Sequence, residues 1–261
     1  MSRTGDLLRK LLAHPRLRGM DLNDPRLTSL RRQIILGNDF LGQIYLSWYD
    51  ELWAAVPAGP GSVLELGSGG GFLKKVQPEV VTSDVVYLPH VDLVLDGRWL
   101  PFTDCSLRAI IFTNVLHHIP QVRLFLADAA RVVRSGGVIT MIEPWVTGWS
   151  RFVYTRLHEE DFDTGAGSWE FPSCGPVSGA NGALPWIIFA RDGAKFQEEF
   201  SQWRLEAIRL DMPFRYLISG GVSLRPLMPG WSYGFWTSLE KLLTPWMSHW
   251  AMFAQVTLRR V

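Results

Sequence analysis

The sequence predicts an α/β fold: a mostly parallel seven-stranded sheet with an antiparallel edge strand, N-terminal helices and two insertions. Three observations carry this reading. Between residues 62 and 143, short apolar runs alternate with stretches of helical period, the pattern of a parallel sheet with crossover helices. The first run, Val63-Leu64-Glu65-Leu66, breaks at once into a turn with glycine at 67, 69, 70 and 71. Near the C-terminus, 203–210 and 253–259 alternate like strands and pair naturally as an antiparallel edge.

The elements follow in order. Residues 1–60 read as an N-terminal helical segment, with Leu7, Leu8, Leu11 and Leu12 at helical spacing and Pro15 and Pro25 as punctuation. A second periodic stretch runs from about Ile34 to Val56, and Pro57 to Gly61 links it to a second unit, 61–261. That unit opens with strands at about 62–66, 80–84, 91–95, 109–113 and 138–142. Short helices are expected at about 70–76 and 192–200, and a longer one at about 120–133. Two stretches rich in Gly, Pro and Trp, about 145–190 and 211–250, have little period and read as insertions over the functional end of the sheet.

Composition bounds the partners. The 261 residues are 47% hydrophobic with a net charge of +1, enough for a sizeable core and too neutral for a protein built to hold nucleic acid. Cys105 and Cys174 stand far apart without a C-x-x-C, which suits a reducing compartment and gives no zinc motif. No secretory or membrane-spanning apolar run stands out, so a cytoplasmic location is expected. Residues 1–32 hold eight Arg/Lys against three Asp, a net +5. With the leucines at 7, 8, 11 and 12, that segment is either a solvated helix or a peripheral membrane contact. Nine of the 12 tryptophans lie beyond residue 144; they serve core packing, an aromatic-lined pocket or a membrane-facing surface.

The glycine turn leaves the ligand open. Glu65-x-Gly67-x-Gly69-x-Gly71 lets a ligand lie against backbone. The dinucleotide fingerprint G-x-G-x-x-G needs a third glycine where Phe72 stands, and a P-loop needs Gly-Lys-Ser/Thr. A purely structural turn is the remaining alternative. Asp84, ending the second strand, can accept hydrogen bonds from ribose hydroxyls, which any nucleoside cofactor carries.

Asp96-Gly97-Arg98-Trp99-Leu100-Pro101-Phe102-Thr103-Asp104-Cys105-Ser106 is similar to the D-x-x-x-L-P-F-x-D-x-S element of class I S-adenosylmethionine (SAM) dependent methyltransferases. Asn114-Val115-Leu116-His117-His118-Ile119 and Arg131-Val-Val-Arg-Ser-Gly136-Gly137 resemble two further elements of that family, in order, in its UbiE-like small-acceptor group. The resemblance spans about 62–143. It implies a Rossmann-like fold and S-adenosyl-L-methionine as cofactor. It also implies cofactor contacts from Glu65, Gly67, Ser68, Gly69, Gly71, Asp84, Asp96, Gly97, Trp99, Leu100 and Asn114, with Asp96 on the adenine amino group. Leu107-Arg108 and Ser135 depart from the family pattern. Only six residues separate Asp84 from Val91, too few for a crossover helix, so the sheet should be trimmed there.

The expected activity is methyl transfer to a small-molecule or lipid-linked acceptor, at oxygen or carbon rather than a nucleobase nitrogen, because no N-P-P-Y signature follows the fourth strand. The alternatives are a SAM-binding module without transfer, or a modifier of protein or RNA. Transfer from a sulfonium needs no metal, and no metal ligand motif is assigned. Candidate bases are His117, just beyond the fourth strand, and His158 with Glu159 in the charged run Leu157-His-Glu-Glu-Asp-Phe-Asp163. His118 stands beside His117, and helix start and packing are the alternative role of both; Glu143, ending the fifth strand, is equally suited to a capping or structural role. Tyr154, Asn181, Arg191, Asp192 and Arg215 are further pocket candidates.

Overall fold

The computed structural model describes residues 11–20, 24, 26–158, 160–172 and 179–261. The predicted helix around Leu7 and Leu8, the first ten residues of the basic N-terminal stretch, Glu159 and Cys174 lie outside the described residues.

Among the described residues, a 3₁₀ turn (Pro15–Leu17) and two α-helices, α1 (Arg26–Leu36) and α2 (Asp39–Ala54), precede the sheet. The single periodic stretch expected from Ile34 to Val56 is therefore broken. The reason is Asn38, an extended residue whose side chain accepts from Leu41 N–H and caps α2. The sheet strands are β1 (Ser62–Glu65), β2 (Val81–Asp84), β3 (Leu93–Val94), β4 (Leu107–Thr113), β5 (Val133–Pro144), β6 (Trp203–Asp211) and β7 (Phe253–Arg260). Their order is β3-β2-β1-β4-β5-β7-β6. All pairs from β3 to β5 are parallel; β7 runs antiparallel to both β5 and β6. The seven-stranded, mostly parallel sheet is as expected.

The continuous apolar strands are explained by burial on both faces. Leu64, Ile110, Phe112, Ile139 and Met141 pack on one side against Phe125, Leu126 and Ala129 of α4 (Val122–Val132), the fourth helix in chain order after the short α3 (Leu73–Val76). Val63, Ala109, Ile111, Val138 and Ile142 pack on the other against Phe40, Leu41, Ile44 and Trp48 of α2. Strand residues alternate between the two clusters with period two. Each fully buried side chain of this size contributes about 1.5–3 kcal/mol through area removed from water.

The chain between β2 and β3 is a turn with no helix, and β3 has only two residues. The described residues of both insertions form helices that their sequence does not suggest. The first carries α5 (Gly148–Leu157), capped by reciprocal Thr147–Ser150 hydrogen bonds. It ends in α6 (Leu184–Trp186), which runs into a π-helical turn, Ile187–Arg191. After α7 (Gly193–Glu199), the second insertion carries α8 (Arg215–Ser219), α9 (Tyr233–Leu242) and α10 (Met247–Trp250). Their aromatic residues hold them to one another and to β7, as Tyr216 does on Phe253 and Trp149 on Trp250. Among the described residues no helix is long and apolar enough to cross a membrane.

Candidate active site

A cavity of about 460 Å³ lies at the C-terminal ends of β1, β2 and β4, where open α/β sheets hold ligands. Its floor is the glycine turn. Gly67 has φ +64°, and a Cβ there would come within 2.6 Å of Val115. At Gly71 a Cβ would meet the Tyr49 hydroxyl at 2.6 Å and the Ser68 carbonyl at 2.8 Å. The turn is clamped from α1 and α2: the Arg32 guanidinium donates to the Gly71 carbonyl, and Tyr49 Oη accepts from Phe72 N–H at 2.9 Å.

Two carboxylates shape the same turn. Asp84 accepts from Gly69 N–H at 2.8 Å and Val86 N–H at 3.1 Å, and burial raises its pKa. Glu65 lies behind the turn, where it accepts from Ser68 Oγ at 2.6 Å. Burial pushes its carboxyl up to about 7, against the opposing hydrogen bond from Ser68. Asp96 sits at the cavity edge, held low by the forked hydrogen bonds of Arg98. Of the predicted cofactor residues, Gly67, Ser68, Gly69, Gly71, Asp84, Asp96, Gly97 and Asn114 line the cavity. Glu65, Trp99 and Leu100 do not. Glu65 supports Ser68, Trp99 is 66% exposed, and Leu100 is a core residue whose N–H binds Asp128.

Beyond Asn114, itself at φ +57°, a 3₁₀ turn spans Leu116–His118. Glu143, the penultimate residue of β5, organises it. One carboxylate oxygen accepts from the N–H groups of Val115 and Leu116, both at 2.7 Å, and the other accepts from His117 Nδ1 at 2.5 Å. Glu160 reaches in from the first insertion. Its oxygens lie 3.4 Å from His117 Nε2, 3.8 Å from His118 Nε2 and 3.8 Å from His158 Nδ1. The rings of His117 and His118 are 4.3 Å apart.

The charges are set by this crowding. Burial works to lower the His117 pKa, but Glu143 and Glu160 overcome it and raise the pKa, so the imidazole is held protonated. Burial and then the neighbouring His117 push His118 down to about 4. Burial works to raise Glu160, but His158, His117 and His118 hold it well below the usual carboxylate range. The structure thus joins predicted His117 and His158 through Glu160, the residue after predicted Glu159. Sequence reasoning quoted Glu160 within the charged run without choosing it. The signal available was the His117-His118 pair with Glu143 at the next strand end.

A second chamber of about 490 Å³ adjoins the first. The two share Arg31, Tyr154, His158, Glu160, Tyr216, Val222 and Ser223 in their walls. Beyond that partition the chamber is lined mainly by apolar side chains, among them Met20, Leu27, Leu157, Leu217, Leu224 and Met252, with Arg18 as its one further charged residue among the described residues. Arg31 Nε is buried there without a hydrogen-bond partner. Of the other pocket candidates, Tyr154 lines both chambers, whereas Asn181, Arg191, Asp192 and Arg215 make hydrogen bonds outside them.

Residues 64–141 match the family model described as Methyltransferase domain. No curated protein matches the chain. Among solved structures, a methyltransferase candidate of Haloferax volcanii, in complex with the Trm112 methyltransferase activator, is 11% identical with a TM-score of 0.51, over 92% of this chain and 97% of that one. Geranyl diphosphate C-methyltransferase of Streptomyces coelicolor A3(2) is 11% identical with a TM-score of 0.49, over 92% and 87%. A methyltransferase candidate of Bacillus halodurans C-125 is 21% identical with a TM-score of 0.43, over 62% and 68%. At 11% identity the likeness to the Haloferax volcanii structure speaks for the fold alone. Taken with the ordered motifs and the glycine-floored cavity, the match over residues 64–141 identifies a class I methyltransferase domain that uses S-adenosylmethionine.

Proposed function

We propose that the chain methylates an oxygen or carbon of a small-molecule or lipid-linked acceptor, in the manner of the UbiE-like small-acceptor group. The observation that carries this reading is the shared wall: an apolar chamber opens beside the glycine-floored cavity at His158 and Glu160. An acceptor with an apolar body would lie in the chamber and present its reacting atom to the first cavity. SAM supplies a methyl on a sulfonium, which passes to the acceptor atom as the carbon–sulfur bond breaks and the acceptor gives up a proton.

The chain's own residues would do the rest. Gly67, Gly69 and Asp84 would hold the amino-acid and ribose portions of the cofactor, and Asp96 with Gly97 would flank its adenine. Positioning is worth several kcal/mol when the reacting atoms are held in line. Glu160, with His117, His118 and His158 around it, would orient the acceptor and hold or pass its proton. Incubation of a cell extract with the protein and methyl-labelled SAM tests this. Label in an organic-extractable product supports the reading. Label in protein or RNA, or none in any fraction although SAM binds, would overturn it.

A second observation favours work at a membrane surface. Trp231, Phe235 and Leu242 are 87%, 65% and 71% exposed and share one side of the α9 region at i, i+4 and i+11 spacing. Trp246, 55% exposed, follows on the next turn. Aromatic and leucine side chains in such a set suit an interfacial contact. Cosedimentation with vesicles should fall when Trp231 and Phe235 are replaced by serine, and equal cosedimentation would count against the contact.

A further inference from the structure

We propose that His117, His118 and Glu160 form a binding site for a divalent cation of the zinc class at the junction of the two chambers. Each residue offers one donor atom, and the three donors lie within 4.8 Å of one another.

The spacing favours an ion over direct hydrogen bonds. His117 Nε2 to Glu160 is 3.4 Å and His118 Nε2 to Glu160 is 3.8 Å. Both exceed the roughly 2.9 Å of a good N–H···O bond. Bonds of about 2.1 Å to a tetrahedral ion set neighbouring donors about 3.4 Å apart. Small side-chain shifts would bring all three onto such an ion.

The surroundings are those of a ligating histidine. His117 Nδ1 is taken by Glu143, which leaves Nε2 as the nitrogen that faces Glu160. Glu143 is itself fixed by the Val115 and Leu116 N–H groups. A carboxylate behind a histidine in this way sets the ring's orientation and raises its basicity toward a metal. Two imidazoles and one carboxylate suit zinc and neighbouring first-row metals better than magnesium or calcium, which prefer all-oxygen shells. The charges also balance: the dication displaces the Nε2 proton of His117, and its two charges offset Glu143 and Glu160. His158, 3.8 Å from the same carboxylate, stands at the rim.

All three ligands line the first cavity, and Glu160 lines both. The remaining coordination positions would therefore face the acceptor. A hydroxyl or enolate oxygen is the ligand they would take; this last step rests on the proposed function, whereas ion binding does not.

The test uses full-length protein stripped with a chelator and freed of it. Zinc alone is titrated by calorimetry and cobalt alone by visible absorption. One saturable equivalent is expected, with cobalt bands of a nitrogen–oxygen site. His118→Ala and Glu160→Gln should each weaken it at least tenfold. Glu143→Gln should weaken it about 10–100-fold, as outer-shell partners do. SAM binding by each variant reports that it is folded, and Glu160→Gln carries the test should His118→Ala fail to fold. No saturable equivalent in the wild type would overturn the site, as would an equivalent unchanged in Glu160→Gln. Ion binding without methyl transfer would count against the proposed function alone.

Discussion

Glu143 and His117 are joined at 2.5 Å in the protein interior, the carboxylate of one strand end fixing the imidazole that follows another. Because the same carboxylate also caps Val115 and Leu116, it couples the end of β5 to the turn beyond β4. Glu143→Ala would strand a buried imidazole and two buried N–H groups. It should cost about 3–5 kcal/mol of stability, the usual cost of removing one partner from a buried pair. Urea denaturation measures this; a loss within the error of the extrapolation would show that the turn stands without it.

Asp96 and Asp84 should differ in what they do for the cofactor. Asp96→Ala removes only a carboxylate at the cavity edge that accepts from Arg98, so the fold should persist while SAM affinity falls at least tenfold. Asp84→Ala also releases Gly69 N–H, so both SAM affinity and melting temperature should fall. Calorimetry and thermal denaturation on the two variants separate these roles.

Glu65 gives a pH dependence with a definite sign. Its carboxyl is raised from 4.5 to about 7 in the fold by burial. The folded state thus favours the protonated form. The associated stability is present below about pH 4.5, falls as pH rises toward 7, and is flat above. The full span is about 3 kcal/mol at most, by linkage. Glu65→Gln should remove this slope, so the stability difference between wild type and variant should change between pH 5 and 8. An equal difference at both pH values would show that Glu65 titrates normally.

Trp48 tests the packing that seats the glycine turn. It is 1% exposed, stacked on Tyr216 and beside Phe253. Trp48→Ala should cost about 3–5 kcal/mol, the range for deleting a buried aromatic. Because Tyr216 lines both chambers, the cavity should also relax, with SAM affinity falling alongside stability.

The nucleotide-binding half was legible in the sequence because its chemistry is local. A strand end, a glycine turn and the Asp96 element each announce themselves within a few residues, and the structure brings eight of those residues to one cavity. Trp99 and Leu100 sit in the same element but turn away, one to solvent and one to the core, which spacing alone does not reveal. Glu160 was hidden for the opposite reason. It meets His117 across more than forty residues, and adjacent Glu159 has the same side chain. The apolar chamber was hidden too, since Leu27, Leu157, Leu217 and Met252 come from four separate stretches. The helices of both insertions were missed because aromatic packing holds short segments that helical period does not mark.

The proposed function requires the apolar chamber and the glycine-floored cavity to act as one active site. Leu217 lines the chamber and not the cavity. The most direct measurement is methyl transfer from labelled SAM by wild type and by Leu217→Trp, with SAM affinity measured on the same samples. SAM affinity should be unchanged and transfer reduced at least tenfold in the variant. Transfer equal to wild type, with the chamber filled, would contradict it.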